Sequence, residues 1–202
     1  RQRQMCIRDR WGQHNTVEIV NKVIKYDDTR LINGVTGWTD RGVGDMYDVH
    51  NYPVTSMILP ENNGNRISVL GEFGGYGWAI KEHIWNPNMR NWGYKNIDGA
   101  MALIDSYGRL VYDLETLIVQ GLSAAVYTQT TDVEGEVNGL ITYDRKVTKI
   151  PEGLLHLMHN RLYEITPAKA VTLIADSQNG SKNTRLVSLN GQELKMTSLP
   201  FD

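Results

Sequence analysis

Apolar residues recur along this chain in two rhythms, and the alternation between them predicts its elements. Spacings of three and four mark helices, and short continuous apolar runs bounded by turn residues mark strands. From Asn15 to Tyr26 the helical spacing sets Ile19, Val20, Val23 and Ile24 on one face, with Asn15 and Glu18 placed like a capping box. From Leu110 to Gln120 the stripe is Leu110, Val111, Leu114, Leu117 and Ile118, and Gly121 reads as the C-terminal stop. Pro151 opens a third helix with Leu154, Leu155, Met158 and Leu162 on its apolar face. Four β-type segments end in polar or aromatic residues: Leu31 to Gly34, Met46 to Pro53, Ile67 to Gly75, and Ser123 to Glu136.

The resulting order is helix, three strands, helix, strand, helix. It predicts an α/β fold with a parallel sheet, in which functional residues collect at the carboxyl ends of the strands. The stretches Val35 to Asp45 and Val54 to Arg66 are rich in Gly, Asn, Asp and Pro, so the connecting helices expected there are short or absent. After Tyr163 the pattern changes. Two β-type runs, Ala170 to Ala175 and Thr184 to Leu189, flank a turn-rich stretch from Ser177 to Asn183, which predicts a β-rich region over 166–202.

Composition adds bounds. A chain of 202 residues with 41% hydrophobic residues can bury an ordinary core and is not of the disordered class. A net charge of −2 and a pI near 6.2 supply no electrostatic case for nucleic acid or an anionic membrane. No apolar run approaches the roughly 20 residues that span a bilayer. Residues 1–10, RQRQMCIRDR, lack apolar periodicity, and Met5 to Arg10 resembles the in-frame translation of a transposon-end sequencing adapter. They are expected to be a non-native segment that includes Cys6, the single cysteine, so the protein's own sequence implies no disulfide. Localisation is left open, a secreted or periplasmic setting included.

The first chemical candidate is Glu72, a carboxylate at the end of an apolar run that is followed by Gly74 and Gly75. Such an acid can be held rigidly at the mouth of a sheet, although carboxylates beside glycine also serve as turn residues and caps. Here the ordered series TRLING, DVHNYP, LGEFGG, YTQTTDVEGEVNGL and TYDR becomes informative. Across Trp11 to Tyr163 it resembles the second half of the catalytic barrel of glycoside hydrolase family 2, the β-galactosidase and β-glucuronidase family.

The resemblance implies that 11–165 is the C-terminal half of a TIM barrel, a partial (β/α)8 fold contributing the last four strands and distorted where helices are missing. Residues 166–202 then begin a β-rich C-terminal domain. A complete barrel takes about 250 residues, so the chain is expected to be a fragment. The implied activity is retaining β-glycoside hydrolysis, β-galactosidase-like, in which one carboxylate attacks the anomeric carbon and a second protonates the leaving oxygen. Glu72 matches the nucleophile and Tyr52 the tyrosine that orients it. The acid/base Glu, preceded by Asn, is expected immediately upstream of Trp11, and Asp9 does not replace it. No metal or cofactor is implied, the partner is a carbohydrate, and a homo-oligomer of the complete protein is compatible.

His50 and Asn51 would meet sugar hydroxyls, although a core histidine satisfied by backbone is the plainer reading of His50. Gln129 and Asp132 either touch substrate or brace their loop. Trp78, Trp85 and Trp92, in the loop after Glu72, offer indole faces for a sugar ring or pack that loop down, and Trp38 carries the same ambiguity. His156 and His159 share a helix face but lack further ligands, so a solvated face is expected rather than a metal site. Asn179-Gly-Ser181 matches a glycosylation sequon and is also ordinary turn chemistry. The glycines from Gly71 to Gly77 lack the spacing and the Lys of a phosphate loop. The alternatives are a non-catalytic carbohydrate-binding or degenerate barrel protein, and a related-clan barrel glycosidase such as a β-mannosidase.

Overall fold

The computed structural model describes residues 13–165, together with the backbone of three further strands, Thr172–Asp176, Asn183–Val187 and Glu193–Leu194. The adapter-like segment with Cys6, and the Asn179 sequon, lie outside the described residues. The fold is mixed α/β with a parallel sheet. In chain order the elements are α1 (Thr16–Tyr26), β1 (Met46–Asn51), β2 (Ile67–Gly74), β3 (Tyr76–Gly77), β4 (Lys95–Asn96), α2 (Ala100–Val119), β5 (Ala124–Thr128) and α3 (Glu152–Glu164). The strands Thr172–Asp176, Asn183–Val187 and Glu193–Leu194 are β6, β7 and β8, and they form an antiparallel sheet.

β2 is the centre of the sheet β1-β2-β5, parallel to both neighbours. A strand flanked on both edges and covered on its faces needs an almost continuous apolar run rather than an alternating one. Ile67 to Gly74 supplies it: Val69, Leu70 and Phe73 are all buried, Leu70 completely. α2 connects β2 to β5 and packs Leu103, Tyr107, Leu110, Val111 and Leu114 into the same core as Leu70 and Phe73. Those residues form one stripe at helical spacing. Leu154, Leu155, Met158 and Leu162 of α3 lie against this core, as the sequence pattern indicated.

α2 begins ten residues before the predicted start at Leu110. Ser106, Asp105 and Gly108 obscure the periodicity there, yet Leu103 and Tyr107 extend the buried stripe backwards to a start after Gly99. Its end matches the expected stop. Gly121 takes φ +109, its N–H reaches the Ile118 carbonyl, and Leu122 N–H reaches the Leu117 carbonyl. That pair of bonds satisfies the last carbonyls of the helix and needs a left-handed residue between them.

Two expectations fail. Asn15 precedes α1 but sits in the left-handed region, φ 49 and ψ 34, and makes no side-chain cap, because a capping side chain needs an extended backbone to reach back to the helix amides. Leu31 to Gly34 is no strand, and only Asn33 bridges to Met46, in parallel. The Ile32 N–H that a ladder would use is instead taken by the Asp45 carboxylate at 2.7 Å. No helix replaces Val35 to Asp45, and Val54 to Arg66 contains a single 3-10 turn, Pro60–Asn62. Among the described residues no helix is long and apolar enough to cross a membrane.

Leu70 has no exposed surface and belongs to the core cluster shared by sheet and α2. Leu70→Ala should therefore lower stability by about 2–5 kcal/mol, measured as a shift in the urea midpoint without a change in slope.

Candidate functional site

β1 and β2 run in simple register from Met46 opposite Ile67 to Val49 opposite Leu70, then slip by one residue so that His50 faces Glu72. Gly71 is the extra residue, and its identity is forced. A Cβ there would lie 2.2 Å from Asp48 Oδ1, the same oxygen that accepts the Gly71 N–H at 2.7 Å. The buried Asp48 carboxylate also accepts from Asn33 Nδ2 at 2.7 Å, which ties the preceding segment to the sheet. The bulge therefore re-aims the residues that follow it.

Glu72 emerges from this slip with its side chain about 15% exposed. The Tyr52 hydroxyl donates to Glu72 Oε2 at 2.6 Å. The Thr128 hydroxyl lies 2.8 Å from the Tyr52 oxygen, and because Tyr52 has one hydrogen to give, Thr128 donates to it. Burial first, and the bond to Glu72 next, hold the Tyr52 phenol far above its ordinary range, so it stays a neutral donor. The His50 ring stands between two carboxylates, Nδ1 3.3 Å from Glu72 Oε2 and Nε2 3.3 Å from Asp48 Oδ2.

Close backbone packing makes room for this group. Gly75 has φ +68, and a Cβ on it would press on the rings of Tyr94 and Tyr52. Those rings stack with centroids 3.5 Å apart and planes 2° from parallel, so Tyr94 fixes the phenol that meets Glu72. Tyr94 in turn meets the Trp92 ring edge-on at 5.7 Å. The sequence pattern pointed to neither Tyr94 nor Thr128. Thr128 ends a strand beside β2 and lies within the YTQTTDVEGEVNGL segment, and those were its signals.

Of the other expected residues, Asn51 ends β1 opposite Phe73. Gln129 follows β5 and donates through Nε2 to Asn138 Oδ1 at 2.9 Å. Asp132 braces its loop: its Oδ1 accepts from Lys149 Nζ at 2.7 Å and from Gly139 N–H at 2.8 Å, and both partners of the ion pair are buried. Lys149 also donates to the carbonyls of Trp78 and Val137, each at 2.9 Å. A buried ammonium needs such full pairing, and this one joins the loop after Glu72 to the loop after β5. Trp78 packs against the core. Trp85 is half exposed and meets Tyr143 edge-on at 4.8 Å, and Trp38 is half exposed. His159 departs from the solvated face expected for it, since its Nε2 lies 2.7 Å from the Tyr107 hydroxyl on α2. Among the described residues no group of His, Cys, Asp and Glu is arranged to hold a metal ion.

No protein-family model matches the chain, and no curated protein matches it. A carboxylate with a neutral phenol donor, placed where parallel strands end, is equipped to act as a nucleophile or a base.

Glu136 had no role assigned from its sequence context, yet its carboxyl feels the charge of Glu72. Burial raises its carboxyl above the ordinary range, and the negative charges of Glu72 and Asp132 raise it further, against a lowering bond from Asn138. A carboxylate inside the YTQTTDVEGEVNGL segment was the available signal.

The loops around the site are clasped a second time, where His83 Nδ1 lies 2.8 Å from Asp144 Oδ2. That bond, with those from the Thr142 hydroxyl and the Lys146 N–H, holds the Asp144 carboxyl at about 2, against an ordinary 3.8. A depressed folded-state value stabilises the fold above the unfolded value, and the contribution disappears as pH falls through the folded one. The difference in Tm between the wild type and Asp144→Asn, followed by circular dichroism melts, should therefore shrink progressively as pH falls from about 3.8 through about 2.

Proposed function

We propose that this chain carries the nucleophile of a retaining β-glycosidase, β-galactosidase-like, with Glu72 attacking the anomeric carbon. The observation that carries the reading is the 2.6 Å bond from the Tyr52 hydroxyl to Glu72 Oε2. A phenol that donates to the carboxylate favours its ionised form and leaves Oε1 free to attack. The covalent glycosyl-enzyme is then released by water. His50, within 3.3 Å of the same oxygen, steadies the carboxylate from a second side.

The sequence resemblance to glycoside hydrolase family 2 supports this reading independently of the geometry. Under it, the parallel strands β1, β2 and β5, with the bridge at Asn33, are the last four strand positions of a (β/α)8 barrel, and the β-rich region after residue 165 is an accessory domain. The acid/base Glu comes from the strand position before α1. Asn51 and Trp78 face sugar in this reading, while Gln129 positions its neighbours and Asp132 braces the loop. The ligand is a carbohydrate, and no cofactor takes part.

In the complete reading frame that encodes this chain, Glu72→Gln should lower kcat by orders of magnitude with little change in Tm, and an activated fluoro-sugar should label Glu72 covalently. Peptide mass spectrometry that finds the label on another carboxylate refutes the assignment. Tyr52→Phe should cost less, roughly 10- to 100-fold in kcat/KM, because one charge-assisted hydrogen bond contributes about 1.5–3 kcal/mol. Full activity in either variant would remove the basis for the reading.

A further inference from the structure

The Tyr52 oxygen stands between a carboxylate and a second hydroxyl, 2.6 Å from Glu72 Oε2 and 2.8 Å from Thr128 Oγ1. A phenol has a single hydrogen, an ionised carboxylate only accepts, and a threonine hydroxyl does either. Both short contacts are hydrogen bonds in one arrangement alone: Thr128 donates to Tyr52, and Tyr52 donates to Glu72. With the phenolic hydrogen turned to Thr128, two oxygens without a hydrogen between them would face each other at 2.6 Å. Hydrogen bonds chained in one direction polarise one another, so the Thr128 bond makes Tyr52 a stronger donor to the carboxylate. Burial first, and the Glu72 bond next, raise the Tyr52 phenol, and the Thr128 bond acts against them, in the direction of a stronger donor.

The backbone delivers the Thr128 hydroxyl to this place. Thr128 is the last residue of β5 and pairs in parallel with Gly74, shortly after Glu72 on β2. β5 lies so close here that a Cβ on Gly74 would come within 2.3 Å of the Tyr127 ring. Beyond the strand, Gln129 N–H donates to the Asn138 carbonyl at 3.2 Å, and Leu140 N–H donates to the Gln129 carbonyl at 3.0 Å. Tyr94, stacked on Tyr52, holds the phenol from its face. Against a backbone fixed in this way, a β-branched side chain has one stiff torsion with which to place its hydroxyl.

We propose that Thr128 is a positioning residue of the Glu72 site, whose hydroxyl commits the Tyr52 hydrogen to Glu72 Oε2 and thereby speeds release of the glycosyl-enzyme. This deepens the glycosidase reading and rests on it. In the attack, an electron pair on Glu72 Oε1 forms the bond to the anomeric carbon, the bond to the leaving oxygen breaks, and the carboxylate becomes a neutral ester. In the release, water adds to the anomeric carbon and its proton goes to the acid/base Glu that the reading places before α1. The electron pair of the breaking ester bond returns to Glu72. Negative charge therefore grows on Glu72 only in the second step. A donor strengthened by Thr128 stabilises that charge as it forms, whereas in the attack it holds the same charge back.

The test uses the complete reading frame, dinitrophenyl β-galactoside as substrate, and an activated fluoro-galactoside that labels Glu72. A dinitrophenolate leaves without a proton, so release of the glycosyl-enzyme limits turnover. Thr128→Val, which replaces the hydroxyl by a methyl group of similar size, should lower kcat and KM together by about fivefold and leave kcat/KM within about twofold. Reactivation of the labelled enzyme should slow by the same factor, and Thr128→Ser, which keeps the hydroxyl, should restore both rates. In the Tyr52→Phe background, Thr128→Val should change neither. A purely structural role would lower kcat/KM or act equally in both backgrounds, and either result overturns the proposal. So does reactivation of Thr128→Val at the wild-type rate once Glu72 is labelled, a result that leaves the glycosidase reading standing. Should Thr128→Val fail to fold, judged by its melting curve, Thr128→Ala is held to the same expectations. No hydrolysis by the wild type, together with no labelling of Glu72, refutes the glycosidase reading and this inference with it.

Discussion

The buried carboxylate of Asp48 is the constraint on which the site depends. It accepts hydrogens from Asn33 and from the Gly71 backbone, and its own main chain is locked to Thr36, whose hydroxyl bonds both the Asp48 N–H and its carbonyl. A buried carboxylate without donors would be costly, so these partners are held together as a set. Their geometry admits only glycine at position 71, and the slip made there brings Glu72 opposite His50. Without the slip the alternation of the strand would turn Glu72 to the other face, because neighbouring side chains point to opposite sides.

Around this point the molecule uses two kinds of support. The core of Leu70, Phe73 and the α2 stripe is apolar and non-directional, and it sets where the sheet and helix lie. The loops that follow the strands are held by directional contacts instead. Lys149 with Asp132 joins two of them, His83 with Asp144 clasps a third contact, and the Tyr52–Tyr94–Trp92 rings fill the space between. Loops carry backbone groups that cannot be hidden in an apolar core without partners, which is why polar bonds appear where apolar packing ends.

Burial in this frame also separates the roles of similar groups. Tyr52 is kept neutral by burial and by the charge it faces, so it donates. Tyr107, in the core between α2 and α3, is pushed up to about 12 by burial alone and serves packing, with His159 as its polar partner. Asp132 and Glu136 are both raised by burial, yet Asp132 is covered by an ammonium and Glu136 only by an amide. The partner, together with burial, sets how far each acid departs from its ordinary value.

The elements governed by local periodicity were readable from the sequence. The β2 run, the Gly121 stop and the α3 stripe depend on residues a few positions apart, and the parallel α/β class follows from their order. The start of α2 was lost because polar residues interrupt its stripe, and the strand at Leu31 because Asp45, far along the chain, takes the hydrogen bond that the strand would have used. Glu72 and Tyr52 stood out as a motif-placed acid and a tyrosine, each visible in its own segment. Glu136 and Thr128 lay inside the YTQTTDVEGEVNGL segment without a role of their own, and Tyr94 lay outside every such segment. What tertiary structure alone decided is which distant side chains share one dry frame, because burial and the charge of a neighbour are properties of the packed loops and have no period in the sequence.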